Sequence, residues 1–118
     1  MKTILVVEDD RNILFAISTL LTDYGYTIYE AENGLAALEQ LKKNGMPDLI
    51  LLDMIMPSMN GWQFAQEFAA LYDNRAAIVV MTAAADAEQR AKDIGAAGWI
   101  GKPFALDNLL ELIKKHST

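Results

Sequence analysis

Apolar residues along this chain fall into short continuous runs separated by longer stretches with helical spacing. The first run is Thr3 to Val7. Ile13, Leu14, Ile17, Leu20 and Leu21 then recur at intervals of three and four, as one buried helix face requires. Asp10 stands just ahead of them, where its side chain can accept from a free helical N–H. Tyr26 to Ala31 reads as a second strand, rich in β-formers but mixed with polar residues. Asn33 opens a helix carrying Leu35, Leu38 and Leu41, and Gly45 closes it. Asp48 to Asp53, DLILLD, is a third strand. Asn60 opens a helix with Phe64, Phe68 and Leu71 on one face. Ala77 to Thr82, AIVVMT, is a fourth strand, and a helix from Asp86 to Ile94 ends at Gly95. Gly98 to Gly101 is a short fifth strand. The last helix runs from Ala105 to Lys115, with Leu106, Leu109, Leu110 and Ile113 as its apolar face.

Strict alternation of strand and helix predicts an α/β fold: a doubly wound, five-stranded parallel sheet with helices on both faces. Strands covered on both faces should be apolar throughout, as the first, third and fourth are. The mixed second and short fifth strands suit the edges. The order 2-1-3-4-5, flavodoxin-like, satisfies both observations with right-handed crossovers. The winding direction then changes between the first and third strands, and ligands bind such sheets at the carboxyl ends beside that point.

Acids collect there. Glu8, Asp9 and Asp10 follow the first strand, and Asp53 ends the third, 44 positions after Asp9. Asp10 is read as a helix cap. Glu8, Asp9 and Asp53 would repel one another unless a cation or a proton intervened. Oxygen-only ligands in a small site favour Mg²⁺. Thr82 closes the fourth strand and Lys102 follows the fifth, so a hydroxyl and an ammonium join the acids. Such a set can hold phosphoryl oxygens, with an ionised Asp53 as nucleophile.

Composition narrows the alternatives. The 118 residues are 53% hydrophobic, enough for one domain with its own core. There is no cysteine, and the single histidine, His116, lies near the C-terminus. Thiolate chemistry is excluded, and a His-based metal cluster or a Ser-His-Asp triad nearly so. A net charge of −6 argues against direct nucleic-acid binding. No apolar run is long enough for a membrane helix, and the N-terminus does not read as a signal peptide. A cytoplasmic protein is expected, with residues 1–118 forming one domain and no output domain attached.

The motifs ILVVEDD (4–10), LLDMIMPSMNGW (51–62), MTA (81–83) and GWIGKPF (98–104) occur in order. With these the chain resembles the receiver domain of two-component response regulators over essentially its whole length. The 2-1-3-4-5 order is also that family's, so strand order and resemblance are not independent. The resemblance implies that Asp53 is the phosphorylated aspartate. It implies a Mg²⁺ site of Glu8, Asp9, Asp53 and the backbone carbonyl of Ile55, with Asp9 the direct ligand of the acidic pair and Glu8 acting through water. Thr82 matches the switch hydroxyl, Lys102 the phosphoryl-binding lysine and Trp99 the aromatic switch residue. The Lys102–Pro103 peptide is expected to be cis. Trp99 stands where Tyr or Phe is more usual, and Gly101 where Thr or Val is frequent.

The implied donor is a sensor histidine kinase or a histidine phosphotransfer protein. The implied target is a downstream protein that reads the fourth helix, fifth strand and fifth helix. The implied state is monomeric before phosphorylation, with dimerisation afterwards left open. Such a domain is no enzyme toward a separate substrate, since it catalyses only its own phosphorylation and dephosphorylation. Ile55 and Ala84, which flank the path of a hydrolytic water, lack polar side chains, so a moderately long-lived phosphoryl group is expected. Competing readings fare worse. A phosphohydrolase wants a second acid at position 55, a flavodoxin-like protein wants an uncharged phosphate loop where EDDRN stands, and a pseudo-receiver does not need Asp53, Thr82 and Lys102 together. Trp62 is read as partial packing, the Ala83 to Ala91 segment as either a plain helix or a partner surface, and His116 as solvent-exposed.

Overall fold

Strands and helices alternate along the described residues of this computed structural model, which are 2–56, 59–73, 76–83 and 86–117. The strands are β1 (Thr3–Val7), β2 (Thr27–Ala31), β3 (Leu49–Asp53), β4 (Ala77–Thr82) and β5 (Gly98–Gly101). The helices are α1 (Arg11–Asp23), α2 (Gly34–Asn44), α3 (Gly61–Tyr72), α4 (Ala87–Asp93) and α5 (Leu106–His116). The sheet is parallel throughout, in the order β2-β1-β3-β4-β5. β3 is buried at every position, and β1 and β4 at all but their first. Only Ala31 is buried in β2, as an edge permits.

Because side chains alternate across a strand, each central strand feeds two cores. Leu5, Val7, Ile50, Leu52, Ile78 and Val80 pack with Leu41, Phe64 and Phe68 on the face covered by α2 and α3. Ile4, Val6, Leu49, Leu51, Val79 and Met81 pack with Leu14, Ile17, Leu21, Leu109 and Ile113 from α1 and α5.

The helix starts follow local chemistry. Asp10 accepts from the N–H groups of Asn12 and Ile13 at 2.9 and 3.2 Å. Asn33 accepts from Ala36 at 2.8 Å. Asn60 and Gln63 satisfy one another's backbone donors in a capping box. Gly45, after α2, has φ 85°, a conformation that favours glycine.

Four side chains depart from the periodic reading. Leu35, Leu71 and Leu106 were expected on buried faces but are 52%, 61% and 40% exposed. Gly34 and Ala37 lie inward in α2 instead, beside Leu41. His116 was expected in solvent but is half-buried, because Gly98 on β5 leaves room for its ring. A β-carbon at Gly98 would stand 3.1 Å from His116 Nε2.

Gly61 carries a sharper constraint. Its N–H donates to Met54 O at 3.0 Å, tying the start of α3 to the end of β3. A β-carbon there would meet Met54 Cα at 2.7 Å and Met54 Sδ at 2.5 Å. Gly61→Ala is therefore expected to cost about 1–3 kcal/mol, the usual range for overpacking. Urea unfolding measures this, and an unchanged midpoint would contradict the close approach.

Candidate functional site

The carboxyl ends of β1, β3, β4 and β5 assemble the site. Glu8 follows β1, and its N–H donates to Ala31 O at 3.0 Å, continuing the pairing with β2. Its carboxylate is wholly buried. One oxygen accepts from the Asp10 N–H at 3.0 Å, and the other accepts from Lys102 Nζ. Asp53 is the last residue of β3 and is 4% exposed. Its Oδ1 accepts from the Ile55 N–H at 3.3 Å, and its Oδ2 lies 3.5 Å from Lys102 Nζ. Asp9 is exposed beside them. One carboxylate oxygen each from Glu8, Asp9 and Asp53 lie within 4.8 Å of one another.

Thr82 closes β4 and is fully buried. Its carbonyl accepts from the Lys102 N–H at 2.8 Å, which carries the sheet pairing past the end of β5. The Lys102–Pro103 peptide is cis. The structure thus brings Glu8, Asp9, Asp53 and Lys102 into one cluster, with Thr82 beside Lys102. Trp99 stands apart on β5, paired with Val80 and 46% exposed. Ile55 turns an exposed side chain outward while its N–H holds Asp53. Ala84 lies outside the described residues, so the expected apolar path for water is described only on the Ile55 side.

The charges in this cluster act on one another. Burial and then the neighbouring Glu8 charge push the Asp53 carboxyl up to about 7, with the Asp9 carboxyl adding to the rise. Lys102 and the Ile55 N–H pull the other way. Burial draws the Lys102 ammonium down, but its hydrogen bond to Glu8 and the charges of Asp53 and Glu8 outweigh this and hold it above its ordinary value. The donor set, carboxylate oxygens without nitrogen or sulfur, fits a hard divalent cation, which would also offset the like-charge repulsion between Glu8 and Asp53.

The ion pair of Lys102 with Glu8 is not visible in the spacing of the sequence. Lys102 directly follows the edge strand β5, and β4 and β3 separate β5 from β1. Only the length of the lysine stem and the convergence of strand ends let it reach across. A lysine after a short apolar strand was the available signal, and it does not name a partner.

The profile of the response regulator receiver domain matches residues 4–114. The chain belongs to the response regulator receiver family. It is a signalling domain of two-component systems, with the doubly wound sheet of that family. It is 33% identical over 117 residues to sporulation initiation phosphotransferase F of Bacillus subtilis (strain 168), covering 98% of this chain and 93% of that one. It is 36% identical over 109 residues to the response regulator MprA of Mycobacterium sp. (strain KMS), covering 91% of this chain but only 46% of MprA. This receiver thus spans nearly all of the first relative and about half of the second.

Among solved structures, the response regulator TrrA of Thermotoga maritima in complex with Mg²⁺-BeF superposes with a TM-score of 0.85 at 36% identity, covering 98% of each chain. A CheY-like receiver domain from Methanospirillum hungatei JF-1 gives 0.89 at 28% identity, over 99% of this chain and 94% of that one. Among the described residues, no helix of this receiver is long and apolar enough to cross a membrane.

Proposed function

We propose that this receiver accepts a phosphoryl group on Asp53, in a Mg²⁺-dependent reaction, from a sensor histidine kinase or histidine phosphotransfer protein. The observation that carries the reading is the convergence of three acid oxygens and Lys102 at the carboxyl ends of β1, β3 and β5. The Mg²⁺-BeF complex of the related TrrA supports it. An Asp53 carboxylate oxygen attacks phosphorus, the P–N bond of the donor phosphohistidine breaks, and the leaving imidazole nitrogen keeps the electron pair and takes a proton. Glu8, Asp9, Asp53 and the Ile55 carbonyl would hold Mg²⁺, which would supply positive charge to the transferred group. Lys102 adds a second positive charge, and the Thr82 hydroxyl offers a donor to the new phosphoryl oxygens.

In this reading the change at Thr82 biases the packing of α4, β5 and α5, where Trp99 lies, and a downstream protein reads that face. The domain acts on itself and turns over no separate substrate. The unphosphorylated domain acts as a monomer in the cytoplasm, and its net charge of −6 disfavours direct contact with nucleic acid.

Intact mass after incubation with acetyl phosphate and Mg²⁺ tests this. A gain of one phosphoryl group is expected for the wild type and is lost in Asp53→Asn and in EDTA. A wild-type protein that binds Mg²⁺ yet gains nothing from acetyl phosphate or from a histidine kinase would refute the assignment.

A further inference from the structure

α4 is weakly anchored by its own residues. It has only seven, and its buried positions are Ala87 and Ala91, which offer a methyl group each. α5, by comparison, buries Leu109, Leu110 and Ile113. A free helix of this length would not persist in water. Asp86, at its start, makes no capping hydrogen bond. Its carboxylate instead takes Arg90 Nε at 2.7 Å, one turn on. The same guanidinium lies 4.9 Å from the ring centroid of Trp62, on α3.

Arg90 thus bridges two helices. Its side chain is only 19% exposed, so the cation–π contact is largely shielded from water. Its Nη1 is buried and has no hydrogen-bond partner among the described residues. That unsatisfied donor lowers the net worth of the contact, so the bridge is one that modest forces can open. The bridge also sits on the covalent path from the site, since Asp86 is four residues after Thr82.

We propose that Asp86, Arg90 and Trp62 form a latch that holds α4 against α3 in the resting receiver and opposes its response to phosphorylation. The latch rests on the phosphoacceptor reading of Asp53. In this scheme a shift of α4 that follows phosphorylation displaces Asp86 and draws Arg90 off the Trp62 ring. By reciprocity, weakening the grip on Trp62 makes the site bind a phosphoryl group more tightly. Arg90 and Trp62 are positioning residues in this scheme, remote from the reacting atoms.

Two measurements on Trp62→Leu, Trp62→Phe and Arg90→Gln test it. The first is hydrogen exchange across residues 86–97 in the metal-free, unphosphorylated protein. The second is beryllofluoride affinity at saturating Mg²⁺. Faster exchange is expected in Trp62→Leu and Arg90→Gln, with about fivefold tighter beryllofluoride binding, the scale of one such contact. Trp62→Phe keeps an aromatic face and should fall between these and the wild type. Wild-type exchange in the variants overturns the latch. So does faster exchange with unchanged beryllofluoride affinity, which would leave Arg90 and Trp62 as packing alone. A wild type that binds no beryllofluoride overturns the phosphoacceptor reading instead, and with it any switch for the latch to hold.

Discussion

Magnesium at about a hundred times its pH 8 dissociation constant is expected to raise the melting temperature by about 10 °C near pH 8, and the same concentration by much less at about pH 5.5. The physical source is Asp53. Its carboxyl titrates near 7 in the folded, metal-free protein, against 3.8 for an ordinary aspartate. Between those values the unfolded chain has released a proton that the folded chain still holds. The folded state binds more protons there, so its stability falls as the pH rises from about 4 to about 7. Above that range Asp53 is ionised, and a divalent cation has most to relieve. Below it, the cation must displace a proton.

Differential scanning calorimetry with Mg²⁺ and with EDTA, at both pH values, measures this. Asp53→Asn removes the titration, so its metal-free melting temperature should lose the downward trend over the same interval. A Glu8→Ala/Asp9→Ala double variant should show little Mg²⁺ response. Equal Mg²⁺ shifts at the two pH values would disprove the account.

Lys102→Met is expected to destabilise the metal-free receiver by about 3 kcal/mol, or about 10 °C for a domain of this size. Lys102 is 15% exposed and Glu8 is fully buried, so removing the ammonium strands a carboxylate away from water. Asp53 loses a neighbouring positive charge in the same step. A divalent cation can replace part of that charge, so the Mg²⁺-induced rise in melting temperature should be larger in the variant than in the wild type. Phosphorylation should fall even where Mg²⁺ restores stability, because the proposed reaction also uses Lys102 to bind the transferred group. Glu8→Gln offers a second arm. It keeps the shape and removes the buried charge, so it should cost less than Lys102→Met. A wild-type melting temperature in Lys102→Met would mean that Glu8 is satisfied without its ion pair.

Much of the scaffold was legible because local chemistry governs it. Asp10, Asn33 and Asn60 cap helices where their side chains can reach a free N–H, whatever the rest of the chain does. LILLD and AIVVMT read as strands covered on both faces, and they lie in the buried interior of the sheet. Legibility failed where the width of a neighbouring surface decides burial. Leu35, Leu71 and Leu106 have helical spacing, but spacing cannot say how much of a stripe the sheet covers. His116 failed in the opposite sense, since its partial burial depends on a glycine on β5 that leaves room for the ring.

The same division runs through the site. The alternation of strand and helix, and the residues that end each strand, are properties of the sequence alone. Together they place Glu8, Asp9, Asp53, Thr82 and Lys102 at one edge of a parallel sheet. Which charges meet there is a property of the tertiary structure. Strand order brings Lys102, just past the edge strand, to a buried Glu8, and burial pushes the Asp53 carboxyl upward. Arg90 and Trp62 are 28 residues apart and belong to different helices. Their contact exists only because α3 and α4 lie side by side on the sheet. Local propensity reads a few residues at a time, whereas electrostatic and cation–π contacts depend on distances that only the packed chain defines.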